Sequence, residues 1–263
     1  MFDKGEFRKE ATPRRVFAFL KLIEYKDRMY TKEEVIDIMQ PKNLNNDQNA
    51  VSKVIKFCLD EKFVKLSIDD KLELNINKEY IRNEVEFRKY VNSVLYENAD
   101  KSIFVALNKE ILSFSSDIYE ISGFSNIAEH IKSMKVNEEI ILAWRFWAAY
   151  LGYGFILGSQ FAINPYIRIN DILEVYFKDS ISTQMKLGDF ISKLVRYSPE
   201  FSMAIDKFEI NTNITIALET LSRLNIIKLS RIPDATENFA LRKENTSTIV
   251  THIEYLGGDI SGK

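Results

Sequence analysis

Cysteine occurs once in the chain, at Cys58, and histidine twice, at His130 and His252. One thiol excludes an intrachain disulfide and fits a reducing compartment, and its place on an apolar helical stripe makes it a core residue. Neither histidine has a second metal-binding side chain at ligand spacing, which argues against zinc and Cys/His chemistry. A phosphate-binding loop of the Walker type is missing, and Gly152-Tyr153-Gly154 with Gly158 neither follows a strand nor has a nucleotide fingerprint's spacing. Pro233-Asp234 opens as a restriction-nuclease motif does, but Leu241-Arg242-Lys243 lacks the acidic residue two before the lysine. Asp69-Asp70 and Glu138-Glu139 are better explained as a turn and a helix's first turn, where negative charge suits the dipole. The expectation is a chain that is not an enzyme and takes no cofactor or metal.

An excess of either charge is also missing: 36 Lys+Arg stand against 38 Asp+Glu, for a net charge of −2. Nothing global draws the chain to nucleic acid or an anionic membrane, so any DNA contact must be a local patch. Met1-Phe2-Asp3-Lys4-Gly5-Glu6 is too charged for a signal peptide's apolar core, so the location expected is cytoplasmic. The most apolar run, Ile140 to Leu157, contains Arg145, is interrupted by Gly152 and Gly154, and has no basic flanks. It reads as a buried helix and not as a membrane span.

What the chain does have is an amphipathic signature used twice, over residues 50–67 and 213–230. At a constant offset, Val51, Val54, Ile55 and Cys58 answer to Ile214, Ala217, Leu218 and Leu221, the spacing of one buried helical face. Phe63-Val64-Lys65-Leu66-Ser67 then answers to Ile226-Ile227-Lys228-Leu229-Ser230. A helix running straight into a hairpin is how a winged helix-turn-helix ends.

Around the first copy, Thr12-Pro13 starts a helix with Val16, Phe17, Leu20 and Ile23 as its stripe. Thr31 with Glu34 forms a capping box for a second helix that stops before Pro41. A third runs from about Asn46 to Glu61, followed by a hairpin over 63–76 as the wing. The second copy is looser: Ile167 to Phe177, a helix opened by Gly188-Asp189, a longer insert, Ile214 to Leu224, and a hairpin joining Ile226–Arg231 to Phe239–Leu241. The fold expected is mostly α with small β-hairpins, two winged helix-turn-helix modules flanking a helical middle region. The divisions are 1–80, 81–165 and 166–245, with 246–263 as a tail that frays near its end.

The third helix of such a module lies in the major groove, its exposed N-terminal residues touching base edges. In the first copy the candidates are Asn45, Asn46, Gln48, Asn49, Ser52, Lys53 and Lys56, with Arg14 and Arg15 adding backbone contacts from the first helix. Asn and Gln suit adenine, and lysines suit phosphate or guanine. The competing reading is a solvated polar face, its field diluted by Asp47, Asp60 and Glu61. In the second copy the face offers Thr212, Asn213, Thr215, Glu219, Thr220 and Arg223, and Glu219 would repel phosphate, which turns that module toward a protein partner. The aromatics Trp144, Phe146, Trp147, Tyr150, Tyr153 and Phe155 have only Arg145 beside them, so they read as core and not as a base-stacking platform.

Thr12-Pro13-Arg14-Arg15-Val16-Phe17, the module after it, and Ala143-Trp144-Arg145-Phe146-Trp147-Ala148-Ala149-Tyr150-Leu151-Gly152-Tyr153 followed by Phe161-Ala162-Ile163-Asn164-Pro165 resemble the DpdG-type accessory proteins. Those belong to bacterial gene clusters that install and police 7-deazaguanine derivatives in DNA as anti-phage defence. The resemblance spans most of the chain and implies a component without known catalytic residues, working beside ATPase and nuclease partners on DNA. Three functions stay open: a DNA-binding or assembly component of such a system, a scaffold or dimerisation module indifferent to DNA, and an ordinary winged-helix transcriptional regulator. Duplex DNA, other defence proteins or a second copy of the chain are the partners implied, and no membrane.

Overall fold

Proline at the first helical position holds φ near its helical value and withholds an N–H that would have had no partner, and α1 (Pro13–Glu24) begins there. The computed structural model describes residues 9–25, 28–41, 43, 49–97, 99–114, 121 and 123–258. α2 (Lys32–Met39) opens on the expected capping box, Thr31 Oγ1 accepting from the Glu34 N–H at 3.2 Å and the Glu34 carboxylate accepting from the Thr31 N–H at 2.9 Å. α3 (Asn49–Asp60) buries Val51, Val54, Ile55 and Cys58, and also Phe57 on an adjoining face. β1 (Val64–Leu66) pairs antiparallel with β2 (Leu72–Leu74). Tyr30, between α1 and α2, adds a third short antiparallel contact, its carbonyl accepting from the Leu72 N–H at 2.7 Å.

The middle continues with α4 (Glu84–Glu97), α5 (Ile103–Ser113), α6 (Phe124–His130) and α7 (Glu138–Tyr150). The single buried helix expected over 140–157 is corrected here: α7 stops at Tyr150, and β3 (Gly154–Leu157) returns antiparallel through β4 (Gln160–Ile163). The glycines are the reason. Gly152 has φ +88, where a Cβ would lie 2.7 Å from Ile167 Cγ2, and a Cβ on Gly154 would lie 2.2 Å from the Ala162 carbonyl oxygen.

The remainder is α8 (Tyr166–Tyr176), β5 (Gln184–Lys186), α9 (Leu187–Tyr197), β6 (Ile205–Asp206), β7 (Glu209–Ile210), α10 (Thr212–Arg223), β8 (Ile227–Ser230), β9 (Phe239–Arg242), β10 (Ser247–Val250) and β11 (His252–Tyr255). The expected pairing of 226–231 with 239–241 does not form. β8 pairs with β11, while β9 pairs with β10 and, in parallel, with β7, so the strand orders are β5-β11-β8 and β10-β9-β7-β6. The stretch read as a tail therefore supplies two strands, one of them central, and buries Val250, Ile253 and Tyr255. Alternation along a short run after Ser- and Thr-rich residues hid it.

The repeat holds in backbone detail and occurs once more than the sequence suggests. After α3, Lys62 takes φ 59 and the Phe63 N–H reaches back to the Cys58 carbonyl at 2.9 Å. After α10, Asn225 takes φ 56 and the Ile226 N–H reaches the Leu221 carbonyl at 3.0 Å. After α7, Gly152 takes φ 88 and the Tyr153 N–H reaches the Ala148 carbonyl at 2.9 Å. Each is a left-handed cap with a six-to-one bond that satisfies an otherwise unpaired carbonyl and swings the chain into a strand. The returning strand then closes on the residue after the cap: Asn75 on Phe63 at 2.9 Å, Asn164 on Tyr153 at 3.1 Å, Leu256 on Ile226 at 2.8 Å. The middle region is thus not only helical, since α5, α6, α7 and the β3–β4 hairpin repeat the order of α1, α2, α3 and β1–β2.

One continuous apolar core runs through all three parts of this mostly α-helical chain with its small sheets. Trp147 ties α7 to the first unit, donating from Nε1 to the Ala11 carbonyl at 2.9 Å with its ring 5.6 Å from that of Phe57. α4 and α8 are joined by ion pairs: Arg88 grips Asp171 through two bonds of 2.9 Å, and Lys89 meets Glu174 at 2.7 Å. Buried Glu200 receives both the Tyr153 hydroxyl and, at 3.4 Å, the Arg168 guanidinium.

Candidate nucleic-acid interface

Among the described residues of α3, Asn49, Ser52, Lys56 and Asp60 form one exposed strip opposite the Val51-Val54-Ile55-Cys58 face. Helical spacing puts the first three on the outer side, where a third helix would meet a groove. Asn45, Asn46 and Gln48 lie outside the described residues. Arg14 and Arg15 are both exposed at the start of α1.

Lys53 is placed differently. It is half-buried at the edge of the strip, and its Nζ donates to Glu10 Oε1 at 2.7 Å. Arg15 Nη1 donates to the backbone carbonyl of the same Glu10 at 3.2 Å. Burial works to raise the Glu10 carboxyl, but the Lys53 hydrogen bond, the residue's own backbone N–H and the charges of Lys53 and Lys9 outweigh it and hold it below the usual carboxylate range. Lys53 is therefore already matched by a carboxylate. The β1–β2 turn is also no simple cation arm: Asp69 and Asp70 are exposed there, and Lys65 meets Glu73 at 3.3 Å.

The other two helices in the equivalent position are covered. In α10, Arg223 alone among the described residues is exposed. The outward placement expected of Asn213 and Thr215 is corrected, because both are fully buried. Inside, Asn213 Nδ2 lies 3.5 Å from the Leu112 carbonyl and the Thr215 hydroxyl bonds the Ile210 carbonyl at 3.3 Å. Asn211 caps α10 and bonds the Leu112 carbonyl at 2.7 Å, fixing the helix start against α5. Glu219 is held by Lys243 at 2.7 Å. In α7 the face of Ile141, Trp144, Trp147 and Ala148 is buried, so the tryptophans are core, as their shared face predicts. Trp144 Nε1 is satisfied by Asn108 Oδ1 at 2.7 Å.

A cleft of about 1240 Å³ beside α5 and α6 brings His130, Glu129 and Glu110 to one surface. Glu110 is already engaged: the Lys132 N–H donates to it at 2.5 Å, and the Ser133 N–H at 3.1 Å and the Ser133 hydroxyl also bond it. Burial acts to raise this carboxyl, and those bonds prevail and keep it below the usual range. It serves as a helix-end clasp and offers no proton at neutral pH. Among the described residues, no group of three or more His, Cys, Asp or Glu could hold a metal ion, and no helix is long and apolar enough to cross a membrane.

A model of the family described as DpdG-like matches residues 7–203. The chain belongs to the DpdG-like family. The DpdG-like match takes in the first unit, the middle and α8–α9, and it ends within the 3-10 helix (Pro199–Ala204) that precedes β6, short of α10. Neither the comparison with curated proteins nor that with solved structures gave a match. The signal that sequence reading missed is Glu10, which lies just ahead of α1 and neutralises a residue of α3 from far along the chain.

Proposed function

We propose that the chain is a non-catalytic DNA-binding and assembly component of the Dpd DNA-modification and defence system, whose first unit is a winged helix that meets duplex DNA. The observation that carries the reading is the exposed strip of α3, set in the order helix, helix, helix, hairpin, with Tyr30 between the first two helices forming an isolated bridge to Leu72. The same strand order, β5-β11-β8, supports a second winged helix at the other end of the chain. α7 and α10 are packed away, so in this reading one module contacts DNA and the others build the assembly. Asn49, Ser52 and Lys56 face the groove, with Arg14 and Arg15 on the flanking phosphates.

The test is a fluorescence-anisotropy titration of labelled duplex over a range of salt. Affinity is expected to fall steeply with salt, and Lys56→Ala to flatten the log–log slope by about 1, one phosphate contact's worth. Absence of binding at low salt removes the DNA half of the reading.

Glu10→Gln gives a second measurement with the opposite sign. Relieved of its carboxylate, Lys53 becomes a phosphate contact, so duplex binding tightens and the slope steepens by about 1. An unchanged slope would mean that Lys53 points away from DNA. The matched Lys53 and the acidic turn also favour a second reading, a protein scaffold indifferent to DNA, for which both titrations come out flat.

A further inference from the structure

The surface between the C-terminal end of α10 and the β9–β10 hairpin is a groove of about 640 Å³. Its rim carries Arg223 from α10 and Arg231 from the end of β8, both exposed. Leu229, Leu241, Ile249 and Val250 give it an aliphatic floor. Among the described residues lining it Glu219 is the sole acid, and Lys243 holds that carboxylate at 2.7 Å, so the net charge offered is positive.

The groove also borders an open strand. β10 is the end strand of its sheet among the described residues. The Lys243 N–H bonds the Thr246 carbonyl at 2.8 Å, and the pairs Leu241↔Thr248 and Phe239↔Val250 are in phase with it. The Ala240 N–H turns the other way, to the Phe208 carbonyl at 2.8 Å. Antiparallel alternation therefore directs the backbone groups of Ser247 and Ile249 away from β9, toward the unpaired side. Such an edge pairs readily with another chain.

We propose that this groove binds an extended acidic segment of a partner protein. Its carboxylates meet the Arg223 and Arg231 forks, an aliphatic side chain enters the Leu229–Leu241 floor, and its main chain pairs with Ile249. A nucleic-acid strand fits less well, because among the described residues no aromatic side chain lines the groove to stack a base, and the aliphatic floor gives a phosphodiester nothing. The inference rests on the assembly half of the proposed function and adds the chemistry of the partner.

The test uses the full chain and a short fluorescein-labelled peptide of alternating Glu and Val, with a Lys–Val peptide and a labelled duplex as comparisons. The Glu–Val peptide binds, the Lys–Val peptide does not, and the R223E/R231E variant weakens binding about tenfold or more. R223K/R231K retains most of the affinity, and an unchanged thermal melt for each variant separates lost charge from lost fold. Equal binding by R223E/R231E, equal binding of the Lys–Val peptide, or no peptide binding at all overturns the proposal. Duplex binding that depends on Arg223 and Arg231 also overturns it, by making the groove a nucleic-acid contact. Loss of the Lys56-dependent duplex signal alone bears on α3 and leaves the groove standing.

Discussion

Arg88→Met lowers the unfolding free energy by about 3–5 kcal/mol at neutral pH, the cost of leaving one member of a buried ion pair without the other. The Arg88 guanidinium makes two bonds of 2.9 Å to Asp171, whose side chain is 3% exposed. Asn92 Nδ2, at 3.5 Å, is too distant to take over. Burial already raises the Asp171 carboxyl above its usual range, against the pull of Arg88, Arg168 and Lys89. A carboxyl with a folded pKa above its unfolded value binds more protons when folded, so acidification through that window favours the folded state. Removing Arg88 widens the window upward. The variant's deficit in urea melts is therefore largest at neutral pH and shrinks on acidification, while a deficit that ignores pH would trace the loss to packing alone. Arg88→Lys, with the charge kept and the fork lost, falls between.

Ending the chain after Asn245 removes β10 and β11 and unfolds the sheet that holds α9 and α10. Val250, Ile253 and Tyr255 are buried, and losing their burial costs about 5–9 kcal/mol in all, at roughly 1.5–3 kcal/mol each. That is on the scale of a whole domain's stability, about 5–15 kcal/mol. β5 and β8 are not paired with each other; each is bonded along its backbone to β11, and the Gln184 Nε2 to Ser230 Oγ bond of 3.1 Å is a side-chain link across it. Amide hydrogen exchange is expected to show protection lost over 184–230 and kept over α1–β2. A dispensable, frayed tail predicts an unchanged exchange map.

The first unit was legible because its signals are local. Thr31 and Glu34 sit one helical turn apart and Pro13 fixes its own φ, so α1 and α2 could be read without knowing what they pack against. What was hidden depends on distant partners. The Ile140–Leu157 run is uniformly apolar, and only the close approach of Gly154 to Ala162 turns its second half into a hairpin. Asn213 and Thr215 look like surface residues until Leu112 and Ile210 supply their hydrogen bonds. Lys53 looks like a phosphate contact until Glu10 reaches it across the turn into α1. Polarity in the sequence marks a group that needs a partner and leaves open whether solvent, protein or DNA supplies it.

The two end units share a strand order but close it over different lengths of chain. In the first, Tyr30 waits only for Leu72. In the second, β5 waits for β11, with α9, β6–β7, α10, β8, β9 and β10 intervening. Loop-closure entropy grows with the length to be closed, and folding slows as contacts become less local. The first unit can assemble early, on contacts near in sequence. The second stays open until its last strand arrives, and β5 and β8 keep unpaired edges throughout that interval.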